Sequence, residues 1–277
     1  MDIGIFETVF SAPTLSGRLD QVVAHGIHCL QFDLNSAGIH DLARDLSAER
    51  CREIHRHLTE RGIAMSAVSG TFNMAHPERA HRQRGLAGLK ALAEHCQFLG
   101  TSVITLCTGT RNTESMWHPH PDNDTPQAWA DLRETMAQAL ELAEASGVVL
   151  ALEPEVSNVI DSPKKARRLI DELKSKRLKI VMDGANIFHS GELPRMRAIL
   201  DEAFDLLGND IVLAHAKDLD RDGAAGHLAA GEGKLDYAHY IAGFKKVHFD
   251  GPIILHGLTQ AQAPRCIDFL RLTMAQQ

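Results

Sequence analysis

Four side chains that can bind a metal ion or move a proton each close a short apolar run of the sequence. Continuous apolar runs of this length are typical of strands buried on both faces, as in a parallel sheet covered by helices. After the first run, Pro154 cannot donate a hydrogen bond to a neighbouring strand, so strand pairing is predicted to stop there. The four residues are Glu153 after 148–152, Asp183 at the end of 179–183, His215 at the end of 211–215 and His256 at the end of 252–256.

These four side chains are predicted to meet, because the carboxyl ends of all strands in a closed parallel barrel lie on one rim, where barrel enzymes do their chemistry. Two carboxylates and two imidazoles make a mixed oxygen and nitrogen ligand set, which suits Mn²⁺, Fe²⁺, Co²⁺ or Zn²⁺. A set of oxygen ligands alone would favour Mg²⁺ or Ca²⁺. The sequence therefore predicts a divalent metal site with Glu153, Asp183, His215 and His256 as ligands.

The rest of the chain alternates predicted strands and helices. Eight strands that alternate with helices, without a linker or low-complexity break, predict a single-domain α/β fold, a (β/α)8 TIM barrel over residues 1–277. An open doubly wound sheet is the alternative, but no GxGxxG motif follows the first strand, so a Rossmann dinucleotide site is not expected. The first five strands are predicted over 3–6, 27–34, 63–68, 103–107 and 148–152, and the helices over 16–25, 47–60, 77–99, 125–146, 162–174, 193–207, 237–247 and from Pro264 onwards.

Composition excludes several other classes of protein. The chain has 277 residues, and a single barrel of this type takes about 250. Its net charge of −7 disfavours non-specific nucleic-acid binding, which needs a basic surface. No apolar run is long enough to span a membrane, and the N-terminus lacks the features of a signal peptide. Five cysteines without a CxxC pair indicate neither a disulfide framework nor a zinc ribbon, so a cytoplasmic location is expected.

Four motifs, in this order and at strand ends, give the chain a resemblance to a known family. It resembles the xylose isomerase-like TIM barrel superfamily, in the branch of sugar phosphate isomerases and epimerases, over nearly its whole length. Members include ketose 3-epimerases, hydroxypyruvate isomerases, inosose dehydratases and abasic-site nucleases of the endonuclease IV type. The motifs are Leu152-Glu153-Pro154, Met182-Asp183-Gly184-Ala185-Asn186, His215-Ala216-Lys217-Asp218 and Gly251-Pro252-Ile253-Ile254-Leu255-His256.

The resemblance implies a ligand set of Glu, Asp, His and a second Glu, and this chain departs from it at the fourth place. The first three ligands correspond to Glu153, Asp183 and His215, whereas His256 stands where the family has its second glutamate. The epimerases use their two glutamates as acid/base groups on opposite faces of an enediolate. Imidazole can also bind a metal or move a proton near neutral pH, so His256 is retained as a ligand and catalytic residue.

By this resemblance, the function is that of a metal-dependent isomerase or epimerase that acts on a sugar, ketose or small hydroxy-keto acid. The metal would bind a carbonyl and an adjacent hydroxyl oxygen and stabilise the enediolate. Glu153 would move the proton on one side, with His256, or else Glu155 or Glu232, on the other. Mn²⁺ is the expected cofactor, with Zn²⁺, Co²⁺, Fe²⁺ and Mg²⁺ as alternatives. The residues predicted to contact substrate are His76, Glu155, Asn186, Lys217, Arg221 and Glu232.

Other interpretations stay open at this stage. A lyase or dehydratase of a sugar-like substrate also begins with proton removal next to a carbonyl. A phosphodiesterase of the endonuclease IV type needs more ligands and a basic DNA-facing surface, and a non-catalytic sugar-binding barrel needs no acid/base pair. Trp117 and His118, in the long loop 108–124, either cover the mouth or contact a partner subunit. The resemblance also implies a small-molecule partner and a homodimer or homotetramer, with no nucleic acid and no membrane; a phosphate on the substrate is left undecided.

Overall fold

Eight parallel strands close into a barrel in the computed structural model, which describes residues 1–277. The strands are β1 (Ile3–Phe6), β2 (Cys29–Phe32), β3 (Ala64–Ser69), β4 (Val103–Cys107), β5 (Val149–Glu153), β6 (Leu178–Asp183), β7 (Ile211–Asp218), β8 (Leu228–Ala229) and β9 (Ile253–Leu255). Neighbouring strands pair in the order β6, β5, β4, β3, β2, β1, β9 and β7, and the barrel closes because β7 also pairs with β6. The two-residue strand β8 lies outside the barrel and pairs antiparallel with the end of β7. The predicted (β/α)8 barrel is confirmed.

Nine α-helices surround the barrel, and none has the length and apolarity needed to cross a bilayer. Three of them begin where the sequence predicts, because Ser47, Thr125 and Ser162 each accept a hydrogen bond from a backbone N–H of the first turn. The helices are α1 (Leu15–Ala24), α2 (Leu42–Asp45), α3 (Ala48–Thr59), α4 (Arg79–Leu99), α5 (Pro126–Ser146), α6 (Pro163–Leu173), α7 (Met196–Leu207), α8 (Tyr237–Lys246) and α9 (Ala263–Gln276).

Two of the element boundaries that differ from the prediction have a local explanation. Pro77 precedes α4 instead of opening it, because the Glu78 N–H donates to His76 Nδ1 and the helix begins only at Arg79. The seventh strand does not end at His215 but continues to Asp218, because its last residues pair with β8.

A small apolar cluster, separate from the main core, is formed by residues of five barrel strands. Because side chains alternate along a strand, the residue two positions later on each strand points to the same side. Those later residues are Ser69, Glu153, Asp183, His215 and His256, so the apolar cluster supports the polar groups from below. Its members are Ala67, Ala151, Val181, Leu213 and Ile254.

A buried carboxyl group at the end of β1 makes stability depend on pH. Glu7 is fully buried, both of its oxygens lie 3.2 Å from the Asp33 backbone N–H, and burial raises its pKa from 4.5 to about 8. Between those pH values the unfolded chain loses a proton that the folded protein keeps, so the free energy of unfolding falls as pH rises.

We expect Glu7→Gln to remove this fall, since the amide retains an acceptor oxygen and never ionises. Relative to wild type, the variant should gain about 3–4 kcal/mol between pH 5 and pH 8. Urea unfolding at the two pH values measures the change. Glu141→Gln, at an exposed position of α5, is the control and should follow wild type. Parallel curves for wild type and Glu7→Gln would contradict the expectation.

Candidate metal centre at the barrel mouth

Three of the four predicted ligands form one buried cluster at the carboxyl ends of β5, β6 and β7. Asp183 and His215 are register partners on neighbouring strands, and Glu153 closes β5. Their ligand atoms all lie within 4.8 Å of one another. All three residues are less than a tenth exposed. Strand pairing therefore brings together groups that are distant in the sequence.

The arrangement of hydrogen-bond acceptors in the cluster favours a bound cation. His215 Nδ1 lies 3.4 Å from Glu153 Oε1 and 3.8 Å from Asp183 Oδ2. His215 Nε2 is 2.8 Å from Gln31 Oε1, so Nε2 carries the ring proton and Nδ1 presents a lone pair. Nδ1 and Asp183 Oδ2 are both buried without a hydrogen bond. Three ligand groups that face one another, two of them with a buried atom that has no hydrogen bond, are costly unless a cation lies between them, so the residues fit a divalent metal ion.

One buried cation of the protein already lies beside the cluster. Lys217 Nζ is 3.3 Å from Asp183 Oδ2. Burial lowers the pKa of Lys217, but Asp183 and Glu153 raise it above its ordinary value, so the ammonium stays charged at neutral pH. Burial raises the pKa of Asp183, and Lys217 opposes that effect. For Glu153, burial acts against the ionised form, but the positive charge of Lys217 opposes it, and the pKa of that carboxyl lies below its ordinary value.

His256, the predicted fourth ligand, lies beside the cluster but outside it. Its ring centroid is 5.3 Å from that of His215 and 5.0 Å from that of Phe6. Neither ring nitrogen makes a hydrogen bond, and Nδ1 is buried. Burial and the charge of Lys217 keep the pKa of His256 well below its ordinary value, so the imidazole is neutral. Its role as a ligand or catalytic group stays a prediction.

Two predicted substrate contacts form hydrogen bonds with neighbouring parts of the protein. Asn186 Nδ2 donates to Glu153 Oε1 at 2.6 Å, and its Oδ1 accepts from the Gly226 N–H at 2.9 Å. Glu155 accepts from the Ser157 N–H at 2.9 Å and from Asn158 Nδ2 at 2.5 Å. Asn186 therefore orients Glu153, and both Glu155 oxygens are already used within the protein.

The other predicted contacts are dispersed around the mouth. His76 is buried, accepts from the Glu78 N–H and stacks on His81 at 4.0 Å. Arg221 is exposed, and its only ion pair is with the adjacent Asp220 at 3.5 Å. Glu232 accepts two bonds from Gln262 Nε2 and pairs with Arg265. Of these three residues, only Glu232 lines a cavity at the mouth.

Sequence reasoning missed two side chains that contact the cluster directly. Gln31 is 2 % exposed, and its Nε2 donates to Thr105 Oγ1 at 2.9 Å, which leaves Oε1 for His215. Cys107, the register partner of Glu153, places Sγ 3.8 Å from Glu153 Oε2. A polar residue within an otherwise apolar strand was the available signal for Gln31.

Gln31 is expected to control metal affinity through the His215 tautomer. Gln31→Met keeps the length of the side chain but removes the acceptor for Nε2–H, so we expect divalent metal affinity to fall about 10- to 100-fold. Calorimetric titration with Mn²⁺ or Zn²⁺ measures it. Gln31→Glu keeps an acceptor oxygen and should bind more tightly than Gln31→Met. Equal affinities of Gln31→Met and wild type would show that the tautomer has no effect.

Comparison with known proteins agrees with this architecture. A family model described as "Xylose isomerase-like TIM barrel" matches residues 19–271. Among curated proteins, none matches the chain by sequence.

Solved structures share the fold across nearly their whole length. A D-tagatose 3-epimerase-like protein superposes with a TM-score of 0.80 at 16% identity, over 100% of this chain and 98% of the other. The 3-keto-D-glucoside 4-epimerase YcjR from E. coli gives 0.74 at 19% identity, over 98% and 99%. The IolI protein with a bound zinc atom gives 0.75 at 15% identity, over 100% and 99%. At these identities the likeness establishes the fold.

Proposed function

The chain belongs to the xylose isomerase-like TIM barrel family, and we propose that it is a divalent-metal-dependent isomerase or epimerase of a sugar, ketose or small hydroxy-keto acid. The observation that carries the proposal is the buried cluster of ligand atoms from Glu153, Asp183 and His215, in which Asp183 Oδ2 and His215 Nδ1 have no hydrogen bond. Sugar epimerases and a zinc-binding protein among the similar folds support it.

The residues of the cluster would hold the metal, with Mn²⁺ proposed first and Zn²⁺ as the main alternative. When bound, the ion would supply Lewis acidity to a substrate carbonyl and its neighbouring hydroxyl. Lys217 stays paired with Asp183 and balances part of the carboxylate charge. Asn186 holds Glu153 Oε1, and this leaves Oε2 with only the weak Cys107 thiol donor.

Glu153 is the proposed base, because it is the only carboxylate of the metal cluster that also lines the cavity at the mouth. It would take the proton from the carbon next to the carbonyl and return it to the same or the neighbouring carbon. The neutral imidazole of His256, with both ring nitrogens free, would accept and return the hydroxyl proton as the carbonyl changes place. A single carboxylate therefore suffices for isomerisation, whereas epimerisation needs a second group on the opposite face.

The proposal is tested by metal content and by proton exchange with solvent. The purified protein should contain a divalent metal, and Mn²⁺ added after chelation should raise its melting temperature. Incubated in D₂O with D-fructose and other ketoses, the metal-loaded protein should place deuterium on a carbon next to the carbonyl. Absence of metal, of the thermal shift and of exchange would overturn the proposal, and a product that has lost water would identify a dehydratase instead.

A further inference from the structure

Two cavities of about 480 Å³ each lie next to each other at the barrel mouth. The first, called here the inner cavity, contains Glu153 and His215 together with Gln31 and Thr105. The second, the side cavity, lies over the loops that follow β1 and β9 and includes Thr8, Leu258 and Thr259. Phe6 and His256 line both cavities, so the two cavities adjoin at these side chains.

The cavities lack the groups that recognise phosphate. Neither is lined by lysine or arginine, whereas Asp33 and Glu153 line the inner cavity and Glu232 lines the side cavity. Two cations beside the side cavity are already paired, Lys217 with Asp183 and Arg265 with Glu232. A phosphate group would meet carboxylates without a free ammonium or guanidinium, which are its usual protein partners.

The side cavity instead presents groups that suit an uncharged sugar ring. Thr8 is exposed and makes no side-chain hydrogen bond within the protein, so its hydroxyl is free for a ligand. Val9 and Leu258 provide apolar surface beside it. Hydroxyl groups next to aliphatic surface match the alternation of O–H and C–H on a sugar. A single ketose beside Glu153 would leave this cavity to solvent.

We propose that the substrate is an uncharged ketose extended by a second sugar, with the ketose in the inner cavity and the second sugar in the side cavity. The reaction in this inference rests on the proposed function, whereas the binding of the second sugar does not. It excludes sugar phosphates as preferred substrates.

The probes are D-fructose, D-fructose 6-phosphate and two neutral glycosyl-fructoses, isomaltulose and lactulose. For the metal-loaded wild type, we expect kcat/KM for solvent deuterium exchange to be at least about tenfold higher with one of the disaccharides than with either monosaccharide. Calorimetry with the same probes measures binding independently of exchange, so a protein that binds the disaccharide without exchanging it would contradict the proposed function alone.

Filling the side cavity should remove the preference. Thr8→Trp should lower binding and exchange of the disaccharide about tenfold and leave D-fructose within about twofold. Leu258→Trp is a second variant in the same cavity, and Leu272→Trp, at a leucine 63% exposed on α9, is the matched control. The inference is wrong if D-fructose 6-phosphate is the best ligand, if neither disaccharide binds more tightly than D-fructose, or if Thr8→Trp affects all probes equally.

Discussion

Glu153→Gln is expected to lower solvent deuterium exchange into a substrate ketose by about 10³-fold, within the range for loss of a positioned proton-transfer group. Glutamine fills the same space and keeps an oxygen for the Asn186 donor at 2.6 Å, but it cannot accept the proton. Exchange is measured at saturating metal, with metal content determined for each preparation, so that loss of the base is separated from loss of the ion.

Glu155→Gln is the matched comparison, because this carboxylate stands two residues away and does not line the mouth cavities. Its oxygens accept from Ser157 and Asn158, so the substitution should lower thermal stability and leave exchange per folded molecule near the wild-type value. If Glu153→Gln retained exchange, or if Glu155→Gln lost as much, the assignment of Glu153 as base would be wrong.

Asp183→Asn is expected to have the largest effect on metal binding, more than about 100-fold, since it removes a charged ligand and not merely a supporting group. It should also destabilise the fold by about 3–5 kcal/mol, because it leaves a buried cation without its partner. That cation is Lys217, whose Nζ lies 3.3 Å from Asp183 Oδ2. Calorimetric metal titration and urea unfolding measure the two effects separately.

A double variant separates the structural role of Asp183 from its role as a ligand. In Asp183→Asn/Lys217→Met the buried cation is absent, so most of the lost stability should return while metal affinity stays low. If the single variant bound metal as tightly as wild type, Asp183 would not be a metal ligand. Equal instability of the single and double variants would show that the ion pair with Lys217 does not account for the loss.

The position of the candidate metal site was predictable because it follows from strand ends. Glu153, Asp183 and His215 each close an apolar run, and parallel closure brings such ends to one rim. The helix caps at Ser47, Thr125 and Ser162 were predictable for a similar reason, since a local hydrogen bond decides each of them.

The hydrogen-bond and packing partners of each side chain depend on contacts between distant segments of the chain. Residue type and spacing do not predict these contacts. Glu155 and Asn186 stay predicted substrate contacts, but the hydrogen bonds that they make to Ser157, Asn158, Glu153 and Gly226 were not predictable. His256 closes a strand like the other three, yet its ring packs beside Phe6 and outside the cluster.

Apolar periodicity and strand ends are local properties of the chain, so residue order was enough to predict the barrel and three of the candidate metal ligands. The acceptor that Gln31 offers to His215, the pair of Lys217 with Asp183 and the second cavity beside the first became visible only in the folded barrel. These features arise where side chains from strands and loops far apart in the sequence meet, and their geometry depends on barrel closure and loop packing.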